Sequence, residues 1–148
     1  MKKVVVQVSL WSKYSDSARK SKNGTPLIGD IAEPVAAEIL GGTWCHDWQT
    51  PGADVVLNGR KVEIKAPIKN PANFGGKEVG KASTPEEAAK AYTTHTGAEL
   101  YGVFTDFTTL LVMTPEEFTA WAIPRLVLKR GSGNKGMNWK LKKNPVKG

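Results

Sequence analysis

The sequence predicts an α/β domain in which helices flank a β-sheet. Two apolar-alternating runs meet at Asn58-Gly59, and this pair predicts a β-hairpin because both central residues of a type I′ turn need positive φ. Residues 25–41 repeat apolar side chains at helical spacing. Residues 100–113 are apolar, aromatic and β-branched, which predicts two strands that turn near Thr105-Asp106. A chain of 148 residues can bury one core, so we expect a single domain over residues 1–148.

The N-terminal part of the chain predicts a strand, a basic loop and a helix, in that order. Residues 3–11 have the apolar, β-branched character of a strand. Residues 12–24 are rich in Ser and Lys without periodicity, which predicts a mobile basic loop. The helix over 25–41 ends at Gly41-Gly42, and residues 43–49 predict a short strand or an approach loop.

Two acids and a proline lie near the start of this first helix. Pro34 must lie in the first turn or kink the helix, because a proline has no amide proton to donate to the preceding turn. Asp30 and Glu33 have the spacing of a capping pair. Alternatively, Glu33 projects past the apolar face toward the hairpin, and the sequence favours neither interpretation.

The C-terminal half predicts two more helices and a basic tail. Residues 66–82 contain several prolines and glycines and are expected to be mostly loop. A helix is expected from Pro85 to about Thr94, because proline suits the first helical position and acids follow it. A third helix is expected over 118–123, preceded by Thr114-Pro115. Residues 125–148 carry eight Lys/Arg and no acid, and we expect a basic C-terminal tail there.

Charge is distributed in blocks along the chain. The formal net charge is +7, and the basic ends surround an acidic segment, residues 25–57, which holds five acids and no Lys or Arg. This pattern predicts an electropositive rim around an acidic pocket, as expected of a protein that holds a polyanion near metal-binding acids. The alternative is that the basic ends only keep the protein soluble.

Composition excludes several other classes of protein. No apolar run approaches the roughly 20 residues that a membrane helix needs, and the N-terminal segment is too short and too polar for a signal peptide. One cysteine, Cys45, excludes an internal disulfide framework and suits a reducing cytoplasm. Its neighbour His46 and the distant His95 do not make a zinc-binding pattern.

The hairpin sets two carboxylates opposite one another. A two-residue turn fixes the register, so Asp54 is expected to face Glu63 with Cβ atoms roughly 5 Å apart. Like charges in this position are destabilising unless they are compensated, either by Lys61 and Lys65 or by a divalent cation. Two interpretations stay open: a solvated charged face, or a small open Mg²⁺ site with an ammonium group beside it.

The predicted order of elements resembles that of the PD-(D/E)xK nuclease superfamily: a helix with an acid, a strand, a hairpin with Asp…Glu-x-Lys, a helix and further strands. This superfamily includes restriction endonucleases, Holliday-junction resolvases and repair exonucleases. The resemblance depends on Pro51-Gly52-Ala53-Asp54 and, after eight residues, Glu63-Ile64-Lys65. Residues 29–33 are similar to the Gly-x-x-x-Glu that opens the first helix of resolvase-type members. The resemblance covers about residues 28–113, and it departs from the family pattern because proline does not directly precede Asp54.

The resemblance implies a restriction-endonuclease-like core, with a central mixed β-sheet whose hairpin carries the active site. Asp54 and Glu63 would bind Mg²⁺ together with the Ile64 carbonyl, and Mn²⁺ is expected to substitute. Lys65 would orient or activate the attacking water. Glu33 would hold a second metal ion or a metal-bound water.

The implied activity is Mg²⁺-dependent hydrolysis of DNA phosphodiester bonds by an endonuclease. A homodimer is expected, because a small nuclease needs two active sites to cut two strands. Basic side chains are expected to contact DNA phosphates: Lys13, Arg19, Lys20, Lys22, Lys69 and Lys77. The alternative is a basic nucleic-acid-binding module without catalysis.

Aromatic side chains are weaker candidates for contacts with DNA. Trp139, set among lysines, is the best candidate for stacking on a base. Tyr92 and His95 lie on the second helix and could touch DNA, although a structural role is favoured. The remaining tryptophans are expected to pack in the interior or on strands: Trp11, Trp44, Trp48 and Trp121.

Overall fold

The computed structural model describes residues 1–45, 54–130 and 137–143, which form a mixed α/β fold with two sheets. The helices are α1 (Ser9–Lys13), α2 (Ile28–Leu40), α3 (Lys77–Gly80), α4 (Pro85–Thr96) and α5 (Pro115–Ala122), and a 3₁₀ turn spans Ile123–Arg125. The strands are β1 (Lys2–Val5), β2 (Thr43–Trp44), β3 (Val55–Leu57), β4 (Arg60–Lys65), β5 (Ala72–Asn73), β6 (Leu100–Asp106), β7 (Thr109–Met113), β8 (Leu126–Arg130) and β9 (Met137–Leu141). Within these residues no helix is long and apolar enough to cross a membrane.

The larger sheet has six strands in the order β1-β7-β6-β4-β3-β2. β4 and β6 are parallel, whereas the other neighbouring strands are antiparallel. Helix α4 lies in the connection between β4 and β6, as a parallel pair requires. A smaller antiparallel sheet has the order β5-β9-β8.

The larger sheet separates two apolar clusters. Alternate residues of a strand point to opposite faces, and on β6 Phe104 belongs to one cluster whereas Tyr101 and Val103 belong to the other. The first cluster includes the buried face of α2. The second includes α4, α5 and the inner side of the smaller sheet. The sheet is therefore covered on both faces.

Helix α2 is joined to β2 by the two residues Gly41 and Gly42, and this turn lies against β3. Gly41 ends the helix in the left-handed region with φ of 75°, as the sequence predicted. At Gly42 an added Cβ would lie 2.7 Å from the Val56 carbonyl oxygen, so only glycine permits this approach. The close contact fixes α2 beside the strands that carry Asp54 and Glu63.

Several predicted elements are confirmed with small shifts of their ends. Helix α4 begins at Pro85 behind a capping box formed by Thr84 and Glu87, and Gly97 ends it. The two strands predicted over 100–113 are β6 and β7, and they turn at Phe107-Thr108, two residues later than expected. Helix α5 begins at Pro115 behind Thr114, also with a capping box.

The first strand is shorter than predicted. β1 pairs with β7 only from Lys2 to Val5, and the amide of Val6 then donates to the Thr108 carbonyl, in the turn before β7. Because the partner strand ends there, the chain leaves the sheet. Trp11 therefore lies in helix α1, not in a strand, and is buried.

The predicted basic loop and the predicted tail both contain regular structure. Within residues 12–24, Lys13 is helical and Lys20 forms an isolated bridge with Pro26, and the mobility of this segment stays a prediction. Residues 126–130 and 137–141 form strands β8 and β9, where the sequence predicted a tail. Residues 66–82, expected to be mostly loop, include β5 and α3.

Pro34 does not lie in the first turn of its helix, which was one of the two predicted outcomes, and a kink there stays a prediction. Helix α2 begins at Ile28, so Pro34 lies in its second turn, where it is buried. The helix continues through Pro34, although the proline nitrogen has no hydrogen to donate to the Asp30 carbonyl. Predictions for His46, Trp48, residues 51–53 and the remainder of the tail lie outside the described residues.

Candidate active site

The hairpin has the predicted register. Val55 pairs with Val62, Val56 with Lys61 and Leu57 with Arg60. Asn58 and Gly59 have φ of 52° and 78°, the positive values that a type I′ turn requires. Extending this register by one residue sets Asp54 opposite Glu63, and the charge of Glu63 acts on the Asp54 carboxyl group and raises its pKa.

Strand β3 begins at Val55, directly after Asp54. The Asp54 side chain provides the acceptor for the Ile64 amide that a main-chain carbonyl would provide in a longer strand. Its Oδ2 accepts a hydrogen bond of 2.8 Å from the Ile64 amide, while its main-chain carbonyl accepts from the Cys45 amide. In an extended strand the amide and carbonyl of one residue point to the same edge. The Ile64 carbonyl therefore also points to the side on which Asp54 lies.

Glu63 and Lys65 lie on the face of β4 that packs against α4. The Tyr92 hydroxyl donates a hydrogen bond of 3.0 Å to Glu63 Oε2, and Lys65 Nζ lies 3.6 Å from the same oxygen. The Glu63 and Lys65 side chains are 13% and 17% exposed. Lys65 Nζ also donates to the Asn73 carbonyl at 2.9 Å and lies 5.0 Å from the centre of the Tyr92 ring. These contacts hold the ammonium group beside the carboxylate pair.

Glu33 points toward the hairpin. Leu27 precedes α2 without a side-chain capping bond, so the capping interpretation of Asp30 and Glu33 is wrong. Glu33 Oε1 accepts a hydrogen bond of 3.2 Å from the Trp44 indole on β2, the strand beside β3. The alternative expectation, that Glu33 projects past the apolar face, is confirmed.

Asp30 is neutralised within the protein. Arg19 donates three hydrogen bonds to its carboxylate, of 3.0 Å from the main-chain amide, 2.8 Å from Nε and 2.9 Å from Nη2. The side-chain hydrogen bonds from Arg19 lower the pKa of Asp30, against the effect of burial. Asp30 thus behaves as a structural ion-pair partner.

Glu33 and Asp54 have raised pKa values. Burial, then the charge of Asp54, raises the pKa of Glu33 to about 8, although the Trp44 hydrogen bond opposes the shift. Burial, then the charge of Glu63, raises the pKa of Asp54 to about 7, against the hydrogen bond from Ile64. Both carboxyl groups are therefore destabilised in their charged form, as expected where nearby acids lack enough positive charge.

These groups line one cleft of about 730 Å³, which we call the acidic cleft. It contains all four residues predicted for catalysis, together with the Ile64 main chain: Glu33, Asp54, Glu63 and Lys65. Asp30 and Arg19 lie at its side, and Lys69 and Asn73 also line it. The structure therefore brings acidic and basic side chains together in one cleft, and the predicted electropositive rim stays a prediction.

The donor chemistry of the acidic cleft fits a hard divalent cation. Mg²⁺ takes carboxylate and carbonyl oxygens and keeps several waters, and Asp54, Glu63 and the Ile64 carbonyl offer such oxygens from one side. Among the described residues, no group of three or more His, Cys, Asp or Glu side chains is arranged to hold a metal ion. The role of Glu33 toward a second metal or a metal-bound water stays a prediction.

The six basic residues predicted to contact DNA do not lie together. Arg19 and Lys69 line the acidic cleft, whereas Lys77 lines a separate groove beside α4. Lys13 donates to Glu38 at 2.7 Å, and Lys20 donates to main-chain carbonyls of residues 15 and 18. Lys22 is exposed.

Sequence reasoning missed three contacts of the site. Tyr92, for which a structural role was favoured, is buried and donates to Glu63. Trp44 and Asn73 hold Glu33 and Lys65. All three contacts depend on tertiary packing, which local sequence patterns do not show. Trp139 is wrong as a stacking candidate, because it is buried and its indole donates to the Ala82 carbonyl.

Comparison with protein-family models, with curated proteins and with solved structures finds no match to this chain. The resemblance to the nuclease superfamily therefore depends on the motif residues and their placement alone.

Proposed function

We propose that the protein is a Mg²⁺-dependent DNA endonuclease whose active site is the acidic cleft. The observation that supports this most strongly is the convergence of Glu33, Asp54 and Glu63 with the Lys65 ammonium group in one cleft. Two of these carboxyl groups have raised pKa values, as expected where a cation is missing from the electrostatic balance. In this proposal the fold is a restriction-endonuclease-like core and the hairpin carries the active site.

Each residue has a role that follows from its chemistry. Asp54, Glu63 and the Ile64 carbonyl would hold Mg²⁺, or Mn²⁺ in its place, and Glu33 would hold a second ion or a metal-bound water. The bound ion supplies a water of lowered pKa and neutralises charge on the phosphoryl oxygens. Lys65 orients the attacking water and neutralises charge that develops at phosphorus. Tyr92 and Asn73 are positioning residues that hold Glu63 and Lys65.

DNA is the proposed substrate because the protein is basic and the site is suited to a phosphodiester. The net charge of +7 favours a polyanion, and phosphate contacts of this kind do not by themselves read sequence. A homodimer is proposed so that two sites can cut two strands. We propose the reducing cytoplasm as the location, because the chain has a single cysteine.

The test is nicking of supercoiled plasmid in Mg²⁺, Mn²⁺, Ca²⁺ and chelator. We expect nicking with Mg²⁺ and Mn²⁺ that stops in chelator. We expect Lys65→Met to lower the rate by roughly 10²–10³-fold, the loss seen when one donor to a developing charge is removed. Thermal unfolding of Lys65→Met verifies that the variant is folded.

Lys61→Met is the matched control. Lys61 lies four residues earlier on β4 and shares the strand face of Lys65, but it is exposed and does not line the acidic cleft. We expect its nicking rate to equal that of the wild type. Retarded migration of the plasmid without nicking in any metal would contradict the enzyme and would favour the non-catalytic binding module.

A further inference from the structure

A groove of about 430 Å³, distinct from the one beside α4, adjoins the acidic cleft. Four lysines line it and no acid does: Lys69, Lys129, Lys142 and Lys143. We call it the lysine groove. It lies on the smaller sheet and on the residues that follow β9, a region that composition alone described as a tail.

The four lysines have no acidic partner within the described residues. Among the ion pairs and side-chain hydrogen bonds of those residues, none involves the four ammonium groups. Lys13 and Arg19 differ, because each is bonded to a carboxylate of α2. Four like charges around one groove repel one another, and a bound polyanion relieves this repulsion and releases counterions.

The smaller sheet fixes the direction of Lys129 and the position of the chain that carries Lys142. Trp139 and Leu141 on β9 pair with Leu128 and Leu126 on β8, and Trp139, Leu141 and Leu126 are buried in the second apolar cluster. By strand alternation, Lys129 points to the opposite, outer face. Beyond β9, the Lys142 amide donates to the Arg125 carbonyl at 2.9 Å, which holds the chain that follows β9 beside the start of β8. The groove is therefore built on a packed scaffold.

The lysine groove is continuous with the acidic cleft. Lys69, Asn70 and Pro71 line both. The two also share a scaffold, because Lys65 donates to the carbonyl of Asn73, and Asn73 pairs with Lys140 on β9. A strand of DNA whose phosphate lies in the acidic cleft can thus continue over Lys69 into the lysine groove.

We propose that the lysine groove binds the phosphodiester backbone of DNA on one side of the phosphate held in the acidic cleft. This inference deepens the proposed function and depends on it for the position of the cut phosphate. It also assigns the main backbone contacts to the smaller sheet instead of residues 12–24, where Lys13, Arg19 and Lys20 are bonded within the protein.

The test compares two triple variants by fluorescence anisotropy with labelled duplex DNA, across a series of salt concentrations and in chelator so that no strand is cut. The groove variant is Lys129→Gln, Lys142→Gln and Lys143→Gln. The control is Lys2→Gln, Lys3→Gln and Lys61→Gln, three exposed lysines outside both clefts. Each variant lowers the formal net charge of +7 by three, so a difference between them reports position and not total charge.

We expect the groove variant to lower affinity by about tenfold or more, and to reduce the slope of log K against log salt by about 2.7, since each lost phosphate contact removes about 0.9. The control should change the slope by less than about one. Equal slopes for the two variants, or no binding of DNA by the wild type, would overturn the proposal that the lysine groove binds DNA.

Nicking of plasmid by the same proteins separates this inference from the proposed function. If the wild type nicks DNA and the groove variant binds and nicks like the control, the proposed role of the lysine groove is wrong and the proposed nuclease activity is retained. A wild type that does not nick in any metal, with binding lost only in the groove variant, supports backbone binding by the groove and removes the nuclease.

Discussion

Asp30 and Glu33 lie three residues apart on α2 and both line the acidic cleft, yet their surroundings are opposite. Asp30 receives three hydrogen bonds from Arg19, and these lower its pKa. Glu33 receives a hydrogen bond from an uncharged indole, and burial beside Asp54 raises its pKa to about 8. One acid of the helix is thus neutralised by the protein, and the other is not.

The comparison separates a neutralised carboxylate from an uncompensated one by the electrostatics of their surroundings. A buried charge that serves only stability is normally paired, as Asp30 is. Glu33 and Asp54 lie in a region where the carboxyl groups outnumber the nearby cations, and Lys65 is the ammonium group beside them. Such an imbalance costs stability, and it is the arrangement expected of the cation site proposed above.

The largest expected effect comes from Asp54→Asn. The amide can still accept from the Ile64 amide and can donate to Glu63, so it turns a repulsive pair into a hydrogen-bonded one. We expect the nicking rate to fall by roughly 10³-fold, because a metal ligand is lost. We also expect the metal-free protein to melt about 3 °C higher at slightly alkaline pH. Plasmid nicking and calorimetry in chelator measure the two changes.

Asp30→Asn is the control for that prediction. It leaves the partly exposed Arg19 without its carboxylate, so we expect a loss of about 1 kcal/mol in the free energy of unfolding. The two substitutions should therefore shift the melting temperature in opposite directions. If both lower it equally, the proposed difference between the two acids does not exist.

The second prediction concerns the pH dependence of stability without metal. Glu33 and Asp54 have raised pKa values in the folded protein, so between their ordinary values and about 7 to 8 the native state binds more protons than the unfolded state. The contribution of these two groups to stability should be full below the ordinary carboxyl range and should decline as pH rises to about 8. Chemical denaturation in chelator across this range measures the decline.

Two variants resolve that profile into its parts. Glu33→Gln should flatten the decline between neutral and alkaline pH. Asp30 has a lowered pKa, so its contribution is present at neutral pH and is lost as pH falls through the acidic range, and Asp30→Asn should remove that loss instead. A decline that is unchanged in Glu33→Gln would show that Glu33 is not destabilised by its charge.

The elements that the sequence predicted well are those determined by nearby residues. The Asn58-Gly59 turn sets the register of β3 and β4 by itself, and therefore aligns Asp54 with Glu63. The end of β1 could not be predicted, because it depends on where β7 begins. Glu33 stayed ambiguous for the same reason, since the indole that binds it lies on β2.

The C-terminal region was mispredicted because its charge obscured its pattern. Residues 125–148 carry eight basic residues, yet Leu126, Val127 and Leu128 form an apolar run at the start of β8. On β9, Trp139 and Leu141 are buried and alternate with the polar residues Asn138 and Lys140. Alternation over five residues is a stronger signal of a strand than net charge is of a tail.

The smallest expected effect is that of Tyr92→Phe, which tests how finely the functional carboxylates must be held. The substitution removes the hydroxyl that donates to Glu63 but keeps the ring, which stacks on Phe74 with centroids 4.0 Å apart. We expect a loss of about 1 kcal/mol in the free energy of unfolding. We expect the nicking rate at low Mg²⁺ to fall by about tenfold, as one hydrogen bond to a charged group allows.

Tyr101→Phe separates positioning from packing. Tyr101 is also fully buried, and its hydroxyl shares a hydrogen bond of 2.6 Å with Thr96 instead of with a carboxylate. Both variants should lose similar stability, but only Tyr92→Phe should need more Mg²⁺ for half-maximal nicking, because only there is a metal-binding carboxylate less well held. An identical Mg²⁺ dependence in the two variants would make Tyr92 a packing residue, and Glu63 would then be held by Lys65 and the strand register alone.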